Sequence, residues 1–324
     1  MTPAAAHETV KPGARSNSTL LSYLARNFDL YLLLIPGLIF MLVIKILPML
    51  GITIAFVDYN IYAGDNPIDA IFKSEFAGLD IFRSLFRKEE FLRAFGNTLA
   101  ISIMKIAVLF PLPIILALLL NEVRLGVFKK VTQTVLYLPH FLSWVVVGGI
   151  FLSLLGTSGV VNQVLTQLGM ISEPIRFFMD NAIFRWVLII TEGWKEIGWS
   201  SIIYLAALAG VDQELYEAAT IDGANSFHRL IHITLPGILS TIVLMLIMRV
   251  GAVLDAGFTQ ILVLYNPTVY QSADIIQTYT YRIGLGQMNF SLGTAVGLFN
   301  SVIAFLLVVS TNFISRKTLG KSIW

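Results

Sequence analysis

The stretch YLLLIPGLIFMLVIKILPMLGITIAFV, residues 31–57, holds a single charged side chain, Lys45, in 27 positions. At a rise of about 1.5 Å per residue, a helix of this length exceeds the roughly 30 Å hydrocarbon core of a bilayer. Five further apolar segments follow, at about residues 97–120, 135–155, 183–209, 235–263 and 292–314. Backbone groups in lipid find no water, so each segment must satisfy its own hydrogen bonds and is expected to be helical. Membrane strands would alternate polar and apolar side chains over roughly ten residues, and no such alternation is present. The composition of the 324 residues agrees, with 56% apolar and 13% charged side chains. A soluble domain carries about 25% charge, and a disordered chain needs low hydrophobicity. The absence of cysteine excludes a disulfide scaffold, a thiolate nucleophile and a Cys-ligated metal. A net charge of +2 without a basic tract gives no case for nucleic acid. The expected fold is an all-α membrane protein with a six-helix domain over residues 30–315.

Residues 1–29 are polar and lack the short apolar core of a secretory signal, so a flexible cytoplasmic arm is expected. Residues 316–324 form the expected cytoplasmic tail. Lys and Arg mark the inner face: Lys11, Arg15 and Arg26 in the arm, then Arg124, Lys129, Lys130, Arg229, Arg316, Lys317 and Lys321. The last two loops on the other side carry only Arg176 and Arg282. This bias places both termini, and residues 212–234 between them, in the cytoplasm. The 58–94 loop is then external, although it carries Lys73, Arg83, Arg87, Lys88 and Arg93. Pro48, Pro111, Pro113 and Pro139 fall in or near the spans and are expected to bend them.

Between the fourth and fifth segments lies Asp212-Gln213-Glu214-Leu215-Tyr216-Glu217-Ala218-Ala219-Thr220-Ile221-Asp222-Gly223-Ala224, which continues to His232-Ile233-Thr234-Leu235-Pro236. Residues 213–221 are good helix formers. Asp212 suits the N-cap, and the acids of the first turn suit the helix dipole. Ala218 and Ala219 allow another surface to approach, and Gly223 permits a sharp turn. Pro236 can begin the next membrane helix without losing a hydrogen bond. A short helical hairpin at the membrane face is expected, as a docking element or as an ordinary linker.

The spacing Glu217-Ala218-Ala219, Gly223, Ile233, Leu235-Pro236 resembles the coupling loop of the transmembrane subunits of bacterial type I ABC importers, with no position missing. Asn97-Thr98 and the segment Trp194-Lys195-Glu196-Ile197-Gly198-Trp199 resemble the carbohydrate and polysaccharide branch, and the chain as a whole is similar to permease subunits of bacterial alginate importers. The resemblance implies a six-helix permease fold with a coupling loop at 212–236, in the cytoplasmic (inner) membrane. It implies that Glu217, Ala218, Ala219, Asp222, Gly223, Ile233, Leu235 and Pro236 couple the chain to an ATPase. It also implies the partners: a second permease, two copies of a cytoplasmic ATPase and a periplasmic or extracellular solute-binding protein. The cargo it implies is an acidic polysaccharide or alginate-derived oligomers, with neutral oligosaccharides as the alternative. No cofactor is expected on this chain, and ATP and Mg belong to the partner ATPase. Gly320-Lys321-Ser322 is similar to the end of a phosphate-binding loop, but Ser315 stands where that motif needs glycine.

Ionisable groups inside apolar spans are costly and face a bundle interior or water. Lys45, Lys105, Glu192, Lys195, Glu196, Arg249 and Asp255 are of this kind. Of these, Lys105, Glu192, Lys195, Glu196, Arg249 and Asp255 are candidates to line a substrate path or to hold the bundle together. Glu192 and Lys195 are spaced to face one another on a helix. Trp194 and Trp199 are candidates to stack on sugar faces or to pack between helices, and Asn300 to bond substrate or a neighbouring helix. Gly293 and Gly297 form a GxxxG pattern suited to a close crossing. No metal site and no nucleophilic triad are expected, since His140 has no His-rich surroundings. An ion-coupled carrier using Glu192 and Asp255 is a rival reading, but it leaves the 212–236 loop without a role. An intramembrane enzyme is a second rival, and it lacks a catalytic constellation.

The cysteine-free chain makes the topology directly testable. In intact cells an impermeant thiol reagent should label Ser74→Cys and spare Ser226→Cys; the reverse pattern would overturn the orientation.

Overall fold

The computed structural model describes residues 27–319 apart from Arg124. The expected arm and tail lie largely outside the described residues, as does Gly320-Lys321-Ser322. By packing, the chain divides into a unit that ends at Ile52 and a unit from Thr53 to Trp324.

In the first unit α1 (Phe28–Met41) passes into a π-turn, Leu42–Ile46, and then into the 3-10 helix Leu47–Phe56. Pro48 has no N–H to close an α-turn, and the irregular turns around it absorb that loss. None of the side chains of α1 or of the π-turn is buried. A helix apolar on all sides in this way suits lipid.

In the second unit β1 (Val57–Asp58) pairs antiparallel with β2 (Glu75–Phe76), and α2 (Pro67–Lys73) lies between them in sequence. Asn66 caps α2 by accepting from the amides of Ile68 and Asp69. After α3 (Asp80–Phe86), the Phe86, Phe91 and Phe299 rings meet with centroids 5.3–5.7 Å apart. Ser291 Oγ donates to Val57 O at 2.7 Å and accepts from Tyr59 N at 2.8 Å. The expected external loop is thus a folded segment fastened to the last helix. Next, α4 (Glu89–Leu109) and α5 (Pro111–Glu122) form one run of 34 residues, jointed where Pro111 opens α5.

The expected third span is interrupted. α6 (Gly126–Tyr137) ends in the 3-10 turn Leu138–Phe141, and α7 (Trp144–Leu155) restarts on Ser143, whose hydroxyl accepts from Val146 N. Pro139 lies in the break, where it removes a backbone donor. α8 (Val160–Gln167) follows, then α9 (Phe184–Ala209). The hairpin comprises α10 (Gln213–Ile221), α11 (Ser226–Arg229) and a π-turn, Leu230–Thr234. α12 (Leu235–Gly251) ends twelve residues before the expected boundary at 263. Ala256 and Gly257 then take φ of 49° and 84°, a left-handed turn that a continuing helix does not allow. The chain goes on through α13 (Phe258–Leu264), α14 (Tyr270–Ala273), α15 (Ile276–Thr280), a π-turn at Tyr281–Gly286 and the long α16 (Phe290–Leu319).

The six-helix expectation needs correction. Among the described residues five helical stretches are long and apolar enough to cross a membrane: Phe28–Phe56, Glu89–Glu122, Trp144–Gln167, Ser226–Gly251 and Phe290–Lys317. The expected fourth span, α9, is 26 residues long but is not among them. Its middle carries Glu192, Lys195 and Glu196, and twelve of its residues are buried. Phe184, Val187 and Leu188 pack with Ile101, Val147 and Ile261, while Tyr204 and Leu208 pack with Ala117 and Ile238. α9 therefore packs extensively within this unit, with Trp186, Ile190 and Trp194 left on its exposed side.

Helix association in lipid gains little from the hydrophobic effect and depends on close packing and hydrogen bonds. Gly198 on α9 shows the closeness: a Cβ there would overlap the carbonyl of Leu136 on α6. At the start of α16 a Cβ on Gly293 would sit 2.8 Å from Gly284 Cα, whereas one on Gly297 meets nothing within 4 Å. Gly198→Ala should lower detergent stability by about 1–3 kcal/mol, the usual cost of overpacking. Gly96→Ala, where a Cβ meets nothing, should leave the melting temperature unchanged or slightly raised.

Candidate passage and coupling surface

The two helix breaks expose carbonyls, and side chains on unbroken helices occupy them. At the α12–α13 break, Ser102 Oγ on α4 donates to Val253 O, and Lys105 Nζ donates to Ala256 O at 2.8 Å. Lys105 also donates to Gln260 Oε1 at 2.6 Å and forms an ion pair with Glu192. The amide of Gln260 donates to Leu188 O and Thr191 Oγ1, each at 2.7 Å, which ties α13 to α9. Arg249 Nη2 donates to the other Glu192 oxygen at 2.6 Å. The Lys105 side chain is 3% exposed and that of Arg249 is 44% exposed. Lys105 is thus an internal fastener, while Arg249 presents part of its guanidinium outward.

At the α6–α7 break, Lys195 Nζ donates to His140 O and lies 3.2 Å from Glu196 Oε1. Glu196 Oε2 is 2.8 Å from His140 Nδ1, and the His140 ring stacks on Trp199 with centroids 4.4 Å apart. The expected Glu192–Lys195 facing pair does not form. Glu192 turns to Lys105 and Arg249, and Lys195 turns to Glu196 and the break.

Between these fastenings opens a cavity of about 370 Å³. Six of the expected path residues line it: Lys105, Glu192, Glu196, Trp199, Arg249 and Asp255. Trp194 is not in its wall and packs edge-on against Phe151, and Lys195 lies beneath the surface with its ammonium 5.8 Å from the Trp144 ring centre. Asn300 lines a separate cavity, of about 780 Å³, whose wall also includes Asp255. Ser102, Trp144 and Tyr204 line the first cavity as well, and none of them stood out in the sequence. Ser102 stands one helical turn before Lys105, a spacing that could have identified it.

Asn97 and Thr98, which carry the branch resemblance, have a structural task. Asn97 Nδ2 donates to the carbonyls of Gln271 and Asp274, and Thr98 Oγ1 accepts from Ile276 N. They hold the chain between α13 and α16 against α4. In that segment Arg282 grips buried Asp274 through two bonds of 3.0 and 2.7 Å, and these hydrogen bonds raise the Arg282 pKa above its ordinary value.

In the hairpin, Asp212 caps α10 by accepting from Glu214 N, and Asn225 caps α11 by accepting from His228 N. Gly223 joins them with φ of 78°, a conformation open to glycine. Arg229 Nη1 donates to Thr220 Oγ1 at 3.0 Å and Tyr216 Oη to Thr234 Oγ1 at 3.0 Å, so the hairpin is braced on itself and on the foot of α12. Glu217, Ala218, Asp222, Gly223 and Pro236 are exposed, while Ala219, Ile233 and Leu235 are half-buried. Ile221 is 87% and Phe227 65% exposed, an apolar surface at the hairpin tip. Among the described residues no cluster of His, Asp and Glu is suited to a metal ion.

Residues 109–319 match the family of binding-protein-dependent transport system inner membrane components. Protein LplB of Bacillus subtilis (strain 168) is 46% identical over 295 residues, which cover 91% of this chain and 90% of that protein. The polygalacturonan/rhamnogalacturonan transport system permease protein YteP of the same organism is 43% identical, over 92% of this chain and 91% of its own. Among solved structures, a chain of a bacterial ABC transporter involved in the import of the acidic polysaccharide alginate superposes with a TM-score of 0.84. It is 39% identical and covers 92% of this chain and 99% of that one. The chain belongs to the family of binding-protein-dependent transport system inner membrane components. It is a multi-pass inner-membrane permease subunit and not an enzyme, and ATP is hydrolysed elsewhere in the complex.

The buried charges give a test. Glu192→Gln leaves the Lys105 ammonium without a counter-charge and should cost about 3–5 kcal/mol of stability, the range for breaking a buried pair. A double-mutant cycle with Lys105→Met, followed by thermal unfolding of the purified subunit, should give a coupling of about 0.5–3 kcal/mol. Strict additivity would contradict the pair.

Proposed function

We propose that this chain forms one side of the passage of an ATP-driven importer for acidic oligosaccharides, with neutral oligosaccharides as the second reading. The chain is the transmembrane subunit of a carbohydrate ABC importer. The names of its relatives, a polygalacturonan/rhamnogalacturonan permease and an alginate importer, support an acidic cargo. The observation that carries the acidic reading is the half-exposed Arg249 side chain in a cavity that also presents Trp144 and Trp199. A guanidinium matches a carboxylate in geometry, and indole faces suit the apolar side of a sugar ring. Lys105 and Lys195 are both committed to helix breaks, which leaves Arg249 as the cation the cavity wall presents to cargo. Glu196 and Asp255 in the same wall suit sugar hydroxyls.

In this reading a second permease completes the passage, and two copies of a cytoplasmic ATPase lie beneath. A solute-binding protein delivers the cargo from outside, and both termini are cytoplasmic. ATP and Mg reside on the ATPase. The hairpin transmits its motion: Glu217, Ala218, Ala219, Asp222 and Gly223 meet the ATPase, while Ile233, Leu235 and Pro236 join the hairpin to α12. The bracing bonds Tyr216–Thr234 and Arg229–Thr220 support this role, because a rigid hairpin passes a displacement on to the helix it stands on.

Two measurements test the proposal. Gly223→Asp puts a charged side chain where a Cβ meets no described residue within 4 Å, and aspartate tolerates the left-handed turn better than most residues. Membrane insertion should persist while transport and cargo-stimulated ATP hydrolysis fall together; wild-type values of both would remove Gly223 from the coupling surface. In vesicles holding both permeases, the ATPase and the delivery protein, ATP should drive uptake of uronate oligomers. Arg249→Gln should reduce acidic uptake more than neutral uptake. Equal loss on both would reject acid selection at this site, and uptake of amino acids or peptides alone would reject the carbohydrate assignment.

A further inference from the structure

We propose that the 780 Å³ cavity between the α12–α13 break and α16 is a second sugar subsite, which takes the neutral, hydroxyl-bearing face of a sugar ring. The inference rests on the carbohydrate reading above and extends it from one subsite to two. The volume falls within the roughly 300–1,000 Å³ of small-molecule sites. Its wall combines two kinds of surface. Asp255, Gln277, Thr294 and Asn300 supply polar groups, and the Phe258 and Tyr281 rings, 6.2 Å apart between centroids, supply aromatic faces. Polar side chains grouped in this way on membrane helices mark a water-accessible path rather than a lipid face.

Two observations point to a ligand with hydroxyl donors. The Oδ1 of Asn300 is shut off from solvent and accepts no hydrogen bond from the described residues, so an amide turned toward the cavity gains from a ligand hydroxyl the partner it lacks. The wall contains Asp255 and no Lys or Arg, so a uronate carboxylate is disfavoured there while hydroxyl groups are suited. Asp255 also lines the first cavity, where Arg249 stands. The two cavities therefore meet at one residue, and successive rings of an oligomer can occupy them together. The arrangement assigns the carboxylate of one unit to Arg249 and the hydroxyls of the next to Asp255 and Asn300.

The cysteine-free background allows a binding readout separate from transport. In the assembled importer, held in its ATP-bound state with loaded delivery protein, Thr294→Cys should react with a small thiol reagent. A uronate oligosaccharide at about ten times its Kd should slow this reaction roughly tenfold, the free fraction being 1/(1 + [L]/Kd). Ser301→Cys, two turns further along α16 in the same wall, serves as a second probe if Thr294→Cys does not retain uptake. Gly96→Cys, outside both cavities, should react at the same rate with and without sugar. Unchanged labelling in a variant that still transports the oligosaccharide would overturn the subsite and leave the importer reading intact. A cysteine that is unreactive even without sugar would also overturn it, because the cavity would then be covered by the partner subunit. Failure of the unsubstituted importer to transport any sugar would remove the carbohydrate reading, and the subsite with it.

Discussion

One helical turn of α9, from Glu192 to Glu196, holds two broken helices in place. A carbonyl freed by a helix break finds no water in lipid and costs several kcal/mol if left unpaired. A lysine ammonium in the same surroundings is also expensive. Here each cost offsets the other. Lys105, held by Glu192, donates to Ala256 O, and Lys195, held by Glu196, donates to His140 O. Without these bonds neither break could be kept at a fixed geometry, and the cavity between them would lose its walls.

The same turn explains why α9 departs from the composition of a lipid-facing span. A helix that presents three charges to its neighbours must turn that face inward, and the buried residues of α9 include Glu192 and Lys195. Its small residues follow from that position. Gly193 and Gly198 let Leu109 and the Leu136 carbonyl come close, and Thr191 receives the Gln260 amide. Several of the polar groups that hold the unit together, Ser102, Lys105, Glu192 and Glu196, also border its cavity, beside Arg249 and Asp255.

The hairpin at residues 212–236 obeys a different logic. Its hydrogen bonds are local, and its apolar side chains divide: Tyr216 and Ile233 pack on the core, while Ile221 and Phe227 at the tip expose surface that a lone soluble turn would hide. The Tyr216–Thr234 bond ties it to the foot of α12, the helix that ends at the second break.

Several features were legible in the residues themselves. The apolar runs announced membrane helices, because lipid admits few other backbones. Asp212, Gly223 and Pro236 announced the hairpin, because capping, positive φ and helix initiation are local chemistry. The presence of charges in the interior was legible too, but their partners were not. Sequence spacing suggested Glu192 with Lys195, whereas the fold brings Lys105 from 87 positions away to Glu192 and leaves Lys195 for a carbonyl. The ends of the third and fifth segments escaped for the same reason. An apolar run looks continuous whether or not it is broken, and a break becomes tolerable only when a side chain from another helix satisfies the freed carbonyl. Local hydrogen-bonding requirements thus settled which segments are helical, and long-range pairing of buried polar groups settled where those helices break and what borders the cavity between them.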